Sequence, residues 1–165
     1  MENENININI NINKIFEDAI KDPNLFSTID IDNLLNTLET DKNDYLETKT
    51  TQSITDEIYE MVSNNIETTN IVQDICTKLL GYRYVDEINE LHKGKHVRWI
   101  RNNSEVLTTG GIVVDIKFLD NGTQVLCKNS MNRFIQYKFD DCITFQKLTP
   151  DEQLILMAYE YTQNN

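Results

Sequence analysis

The sequence predicts an α+β protein: an acidic, helical N-terminal region followed by a small antiparallel β-barrel with a capped C-terminal helix. Three observations predict it. Apolar residues recur at helical spacing up to about residue 81. From Val85 onward the pattern changes to short alternating runs separated by turn residues. Thr149-Pro150-Asp151-Glu152 then writes the start of a last helix. The chain divides accordingly into a low-complexity tail over 1–13, a helical region over 14–81, and a barrel plus terminal helix over 82–165.

Residues 5–13 alternate Asn and Ile, nominally a strand pattern. A self-assembling tail is one reading; an ill-ordered terminus from AT-rich coding sequence is preferred, because termini are loose unless tied down. Ile15, Phe16, Ala19 and Ile20 share a helical face that stops at Asp22-Pro23. Ile31, Leu34, Leu35 and Leu38 repeat the amphipathic spacing behind Asp30 as N-cap. Residues 40–52 are polar and read as a linker. Ser53 caps a helix to about Asn64 that buries Ile54, Ile58, Met61 and Val62. Asn70 caps the next, with Ile71, Ile75, Leu79 and Leu80 inward and Gly81 as its left-handed stop.

The barrel strands follow. His96–Arg101 is β-rich around Val97 and Trp99, and Gly110-Gly111 breaks the chain. Ile112, Val114, Ile116 and Phe118 then alternate with Val113, Asp115, Lys117 and Leu119. Asn121-Gly122 supplies the positive φ angles of a tight hairpin. Residues 123–128 return, 129–132 turn again, 134–139 form a strand, Asp140-Asp141 bends, and 142–147 ends the meander. Closure into a barrel would remove exposed edges. In the final helix Thr149 is the N-cap, Pro150 occupies the first turn and Glu152 completes a capping box, with Leu154, Ile155, Ala158 and Tyr161 inward.

Charge divides the chain unevenly. The net charge is −12, of which −11 falls in residues 1–80 and −1 in residues 81–165. The acidic half repels phosphate, so nucleic acid would have to meet the other half. No run approaches the ~20 apolar residues of a membrane span, and Met1-Glu2-Asn3-Glu4 is acidic where a secretory leader is basic. Cys76, Cys127 and Cys142 are odd in number and far apart, which fits a reducing compartment. An intracellular location without membrane contact is the expectation. Asn102-Asn103-Ser104 and Asn121-Gly122-Thr123 match the glycosylation pattern but read as unmodified turns.

The chemistry-bearing residues are few. P-loop, nucleophile-elbow, zinc-protease and dinucleotide fingerprints are absent from the sequence. His92 and His96 are four apart and Cys127 and Cys142 could complete a zinc set, but Gly94 weakens a helix between the histidines and the cysteines are not closely paired. Neither a metal nor another cofactor is expected, and no enzyme activity. The segment 92–101 is more informative: Lys93, Lys95, Arg98 and Arg101 surround Trp99, the single tryptophan. Bases interleaved with an aromatic can hold phosphate and stack a base. The plainer reading is a strand edge guarded by cations, with Trp99 in the core. A third is that this patch docks the acidic N-terminal half, of its own chain or another.

Residues 95–147 resemble the Tudor and Src-homology-like small barrels, through Val97-Arg98-Trp99, the strand opening at Gly110-Gly111-Ile112-Val113-Val114 and the Asn121-Gly122 hairpin. That resemblance covers about a third of the chain, and it implies binding of peptides, modified side chains or nucleic acid through loops. No aromatic cage maps onto this sequence residue by residue. The Asn/Ile bias resembles proteins of large AT-rich DNA viruses, which implies host cytoplasm or virion. The function expected is therefore a non-catalytic interaction or adaptor protein, such as a viral particle or accessory component, that binds a protein partner through the barrel and is able to form oligomers. The alternative is a nucleic-acid-binding accessory protein using the basic strand 93–101.

Overall fold

The computed structural model of this chain describes residue 46 and residues 49–164. The expected tail over 1–13 and the helices at 15–20 and 30–39 lie outside the described residues. The chain divides into two compact units, Gln52–Leu148 and Met1–Thr51 with Thr149–Asn165.

The first unit carries helices α1 (Thr51–Asn65, whose first residue belongs to the other unit) and α2 (Thr69–Lys78) and strands β1 (Tyr82–Val85), β2 (His96–Arg101), β3 (Gly111–Leu119), β4 (Gly122–Lys128), β5 (Phe134–Lys138) and β6 (Cys142–Lys147). All six strands form one antiparallel sheet in the order β1-β6-β2-β3-β4-β5. The mixed α and β content agrees with the sequence; the closed barrel does not. β6 spends one edge on β2 and the other on β1, so it has no edge left for β5, and closure would need β1 to meet β5. β1 is the strand that the sequence pattern missed. It is four residues long, directly after the Gly81 turn, where φ is +83°.

The sheet nevertheless curls. Trp99 on β2 stacks on Tyr137 of β5 with ring centroids 4.0 Å apart and planes 14° from parallel. The Tyr137 hydroxyl is 3.1 Å from Thr144 Oγ1 on β6. Side chains alternate across a strand, so Val85, Val97, Trp99, Val113, Val125, Cys127 and Tyr137 line one concave core, joined by Leu91. The opposite face of β1, β6 and β2 holds Tyr84, Phe145 and Ile100, with the Tyr84 and Phe145 rings 6.2 Å apart and Phe145 and Ile100 fully buried. Helices α1 and α2 bury Ile54, Ile58 and Val62, and Val72 and Ile75. They are tied to the β2–β3 connection where Asn65 Nδ2 donates to the Ser104 carbonyl at 3.1 Å. Leu80, expected inside, is 68 % exposed because the helix has already ended at Lys78.

Two local features explain departures from simple alternation. Val114 is the extra residue of a β-bulge between Val113 and Asp115, which changes the phase of β3. Val113 before the bulge and Ile116 after it therefore both turn to the core, and Ile112 and Val114 are exposed; Phe118 shares the parity of Ile116 but is exposed near the hairpin tip. The β3–β4 hairpin turns on Asp120-Asn121, and Gly122 already pairs with Leu119. Gly122 has φ +127°, and a Cβ there would meet Lys138 Cε at 2.5 Å. Glycine thus serves both the turn and the passage of the Lys138 side chain. The second hairpin is held by Asn129, whose Oδ1 accepts from Met131 N and Arg133 N at 3.0 Å each.

In the other unit, α3 (Pro150–Asn164) starts as the sequence requires. Glu152 N donates to Thr149 Oγ1 and Thr149 N donates to Glu152 Oε1, both at 3.1 Å, a complete capping box. Ile155, Leu156 and Ala158 are buried, whereas Leu154 and Tyr161 are only half-buried.

Candidate functional site

The five residues singled out in the basic segment do not form one surface. Lys93 stands in an exposed turn, its Nζ 3.3 Å from Asp115 Oδ1; that hydrogen bond, with another from Ile116 N, lowers the Asp115 pKa. Lys95 is half-buried, and its carbonyl accepts from Val113 N at 3.0 Å. Arg98 lies on the opposite face of β2 from Trp99, with Nε donating to the Thr108 carbonyl at 2.8 Å. Trp99 is 2 % exposed, and its Nε1 has no hydrogen-bond partner among the described residues. A ring sandwiched in the core offers no face for a base to stack on. Nor is β2 an edge: β6 pairs along it, and β3 and the Thr108 loop take its other side.

Arg101 is different. It ends β2 opposite Cys142, on the same side as Trp99, and it is exposed. It lines an open cavity of about 550 Å³ with Asn102, Asn103, Gln136, Tyr137, Lys138, Asp141 and Cys142. The cavity lies where the curled sheet fails to close, between the end of β2 and the free side of β5. Its rim is pinned by local bonds. Asn102 N donates to the Asp141 carbonyl at 2.9 Å and Ser104 N to the Arg101 carbonyl at 3.0 Å. Asn103 takes φ +63° to make that turn, a conformation Asn tolerates better than most residues. Lys138 Nζ sits 3.8 Å from Asp141 Oδ2, a loose pair. Among the described residues no carboxylate or carbonyl binds the Arg101 guanidinium. Burial raises the Cys142 thiol pKa, an effect that Arg101 opposes and Asp141 reinforces.

β5 itself completes the site. It pairs with β4 along its full length, from Gln124↔Lys138 to Lys128↔Phe134, and among the described residues no strand pairs with its other edge. Among the described residues no other backbone hydrogen bond engages residues 134–138. Phe134, Gln136 and Lys138 alternate with Ile135 and Tyr137, which join the core. Phe134 is 63 % exposed.

The sequence signals for this site are faint. Of the lining residues the sequence marks Arg101 as a binding candidate and Cys142 only as a metal-ligand candidate. Asn102-Asn103-Ser104 reads as a turn, but Gln136, Lys138, Asp141 and Cys142 come together only through the curl of the sheet.

The other candidates are accounted for structurally. His96 Nδ1 is 2.9 Å from the Tyr82 hydroxyl, and burial, then Lys147 and Arg98, lower its pKa. Cys127 is fully buried, and burial pushes its pKa up to about 12. Among the described residues no three His, Cys, Asp or Glu side chains gather as a metal site would require. No described helix is long and apolar enough to cross a membrane. Neither a protein-family model, nor a curated protein, nor a solved structure matches the chain.

Proposed function

We propose that this chain is a non-catalytic interaction module that receives a segment of a protein partner as an added strand on β5. The observation that carries this reading is the β5 edge that no described strand pairs with, bordering the open cavity. In strand addition the main chain supplies hydrogen bonds, and alternate side chains supply specificity by entering neighbouring pockets. β5 offers both elements: an edge whose backbone groups meet no described strand, and a recess beside Tyr137 and Arg101. An edge this exposed is a hazard unless something covers or discourages it, and a partner strand would cover it. The resemblance to small peptide-binding barrels is compatible with this role but places the ligand on loops rather than on an edge.

The alternative, nucleic acid on strand 93–101, draws support from charge alone, because Trp99 lies inside the core.

The test pans a random peptide library against the full chain and maps a selected peptide by residue-resolved NMR shifts. A short labelled oligonucleotide is titrated at low salt in parallel. Strand addition predicts shifts concentrated on residues 134–138 and the cavity rim. Peptide shifts confined to other surfaces, or oligonucleotide binding with steep salt dependence and shifts at 93–101, would overturn it.

A further inference from the structure

We infer that the strand accepted by β5 is acidic, runs antiparallel to it, and follows the pattern acid-acid-x-x-apolar. This rests on the reading of β5 as an acceptor edge and specifies its occupant.

Charge favours an acidic occupant. Residues 93–138 hold eight bases and three acids, whereas the chain as a whole carries −12. Near β5 the bases are Arg101, Lys128, Arg133 and Lys138, against Asp140 and Asp141. Of these, Arg101 faces the cavity with no anionic partner among the described residues. Lys138 has three donors and, among the described residues, only the loose contact to Asp141 at 3.8 Å. A basic segment would be repelled here. An acidic one would find Arg101 at the cavity and the flexible Lys138, which now runs over Gly122, able to swing to it, and like charges set directly opposite across a ladder are destabilising.

Register favours an antiparallel one. Every pairing in this sheet is antiparallel, and antiparallel ladders are slightly more stable per residue than parallel ones. A strand laid antiparallel on β5 meets Lys138 first and Phe134 four residues later. The residue opposite Lys138 shares its outward face, so a carboxylate there pairs with the ammonium. The next residue lies opposite Tyr137 and turns toward the cavity, where a second carboxylate comes into range of Arg101. The residue opposite Gln136 faces an uncharged amide and is unconstrained, and the one opposite Ile135 lies over the inner side. The fifth lies against Phe134, whose exposed ring rewards an apolar side chain.

The test is fluorescence anisotropy on the full chain with four synthetic β-prone peptides. One carries the acid-acid-x-x-apolar pattern, one has lysines for the acids, one reverses the order, and one is the first with alternate backbone amides N-methylated. The acidic peptide should bind roughly 100-fold more tightly than the lysine peptide, from two charge-assisted contacts worth roughly tenfold each. Arg101→Gln should weaken it roughly tenfold, and Arg101→Glu should weaken it further while improving the lysine peptide. Arg101 is exposed, so neither variant removes core packing. Loss of binding on N-methylation with equal affinity for acidic and lysine peptides would overturn the acidic occupant and leave strand addition standing. Equal affinity for the reversed peptide would overturn the antiparallel register. Undiminished binding of the N-methylated peptide, or no binding of any of the four, would overturn strand addition and the occupant with it.

Discussion

Removing the Tyr137 hydroxyl tests how an open sheet holds its curl. β5 has no backbone bond to β6 or β2; its attachment across the interior is the Trp99–Tyr137 stack and the 3.1 Å bond from Tyr137 to Thr144 Oγ1. Tyr137 is 3 % exposed and Thr144 1 %, so the bond is sealed from water. Tyr137→Phe keeps the ring and its stack but strands the Thr144 hydroxyl in the core. A buried, orphaned hydroxyl costs about 1–2 kcal/mol, and each kcal/mol lowers Tm by roughly 4–8 °C in a domain of this size. Thr144→Val removes the other partner at similar cost. The double variant leaves no orphan, so its destabilisation should be about 1 kcal/mol less than the sum of the two. Urea unfolding followed by the fluorescence of the single tryptophan reads this directly, since Trp99 lies against the mutated ring. Strict additivity, or a Tyr137→Phe loss below about 0.3 kcal/mol, would mean that this bond does not hold β5 to the interior. Tyr137→Ala, which also removes the ring, should cost about 3–5 kcal/mol.

Other consequences are independent of that pair. Thr149→Ala breaks one half of the capping box on α3 and should cost about 1 kcal/mol by urea unfolding, with Thr149→Ser restoring most of it. Gly110→Ala should abolish soluble expression or lower Tm steeply, because φ is +75° and the new Cβ would stand 1.8 Å from the Val97 carbonyl oxygen. The lowered His96 pKa has a definite sign: the folded state resists protonation, so its contribution is fully present above about 6.5 and is lost as pH falls below that value. Stability measured from pH 8 to pH 5 should therefore decline, and His96→Gln should flatten the slope. Cys127 should resist alkylation of the native chain at pH 8 while Cys76 and Cys142 react, then label fully in urea, as its burial and its pKa near 12 require.

How much was legible in the sequence depends on whether the signal was local. The Thr149–Glu152 box, the bounds of β2 and the Asn129 turn are written in adjacent residues, and each stands where the pattern put it. The burial of Trp99 followed from its place in an apolar strand. What escaped is non-local. The bulge at Val114 inverts half of β3 and leaves no local mark among its β-branched neighbours. β1 is four residues long and is recruited by β6 rather than by its own periodicity. Its recruitment is also what keeps the barrel open, so the exposed β5 edge, the cavity and Arg101's position beside Lys138 could not be read from spacing. The basic segment looked like one patch because its residues are consecutive, yet strand alternation sends Arg98 and Arg101 to opposite sides.

The account stands on β5 being an edge that is open in the free chain and filled in the bound one. Residue-resolved amide hydrogen exchange on the full chain measures this, with and without a saturating acidic peptide of the inferred pattern. The account predicts that in the free chain the amides of residues 134–138 not bonded to β4 exchange far faster than those of β2, and that the peptide slows them at least tenfold. Slow exchange along all of β5 in the free chain, or exchange there that bound peptide leaves unchanged, would contradict it.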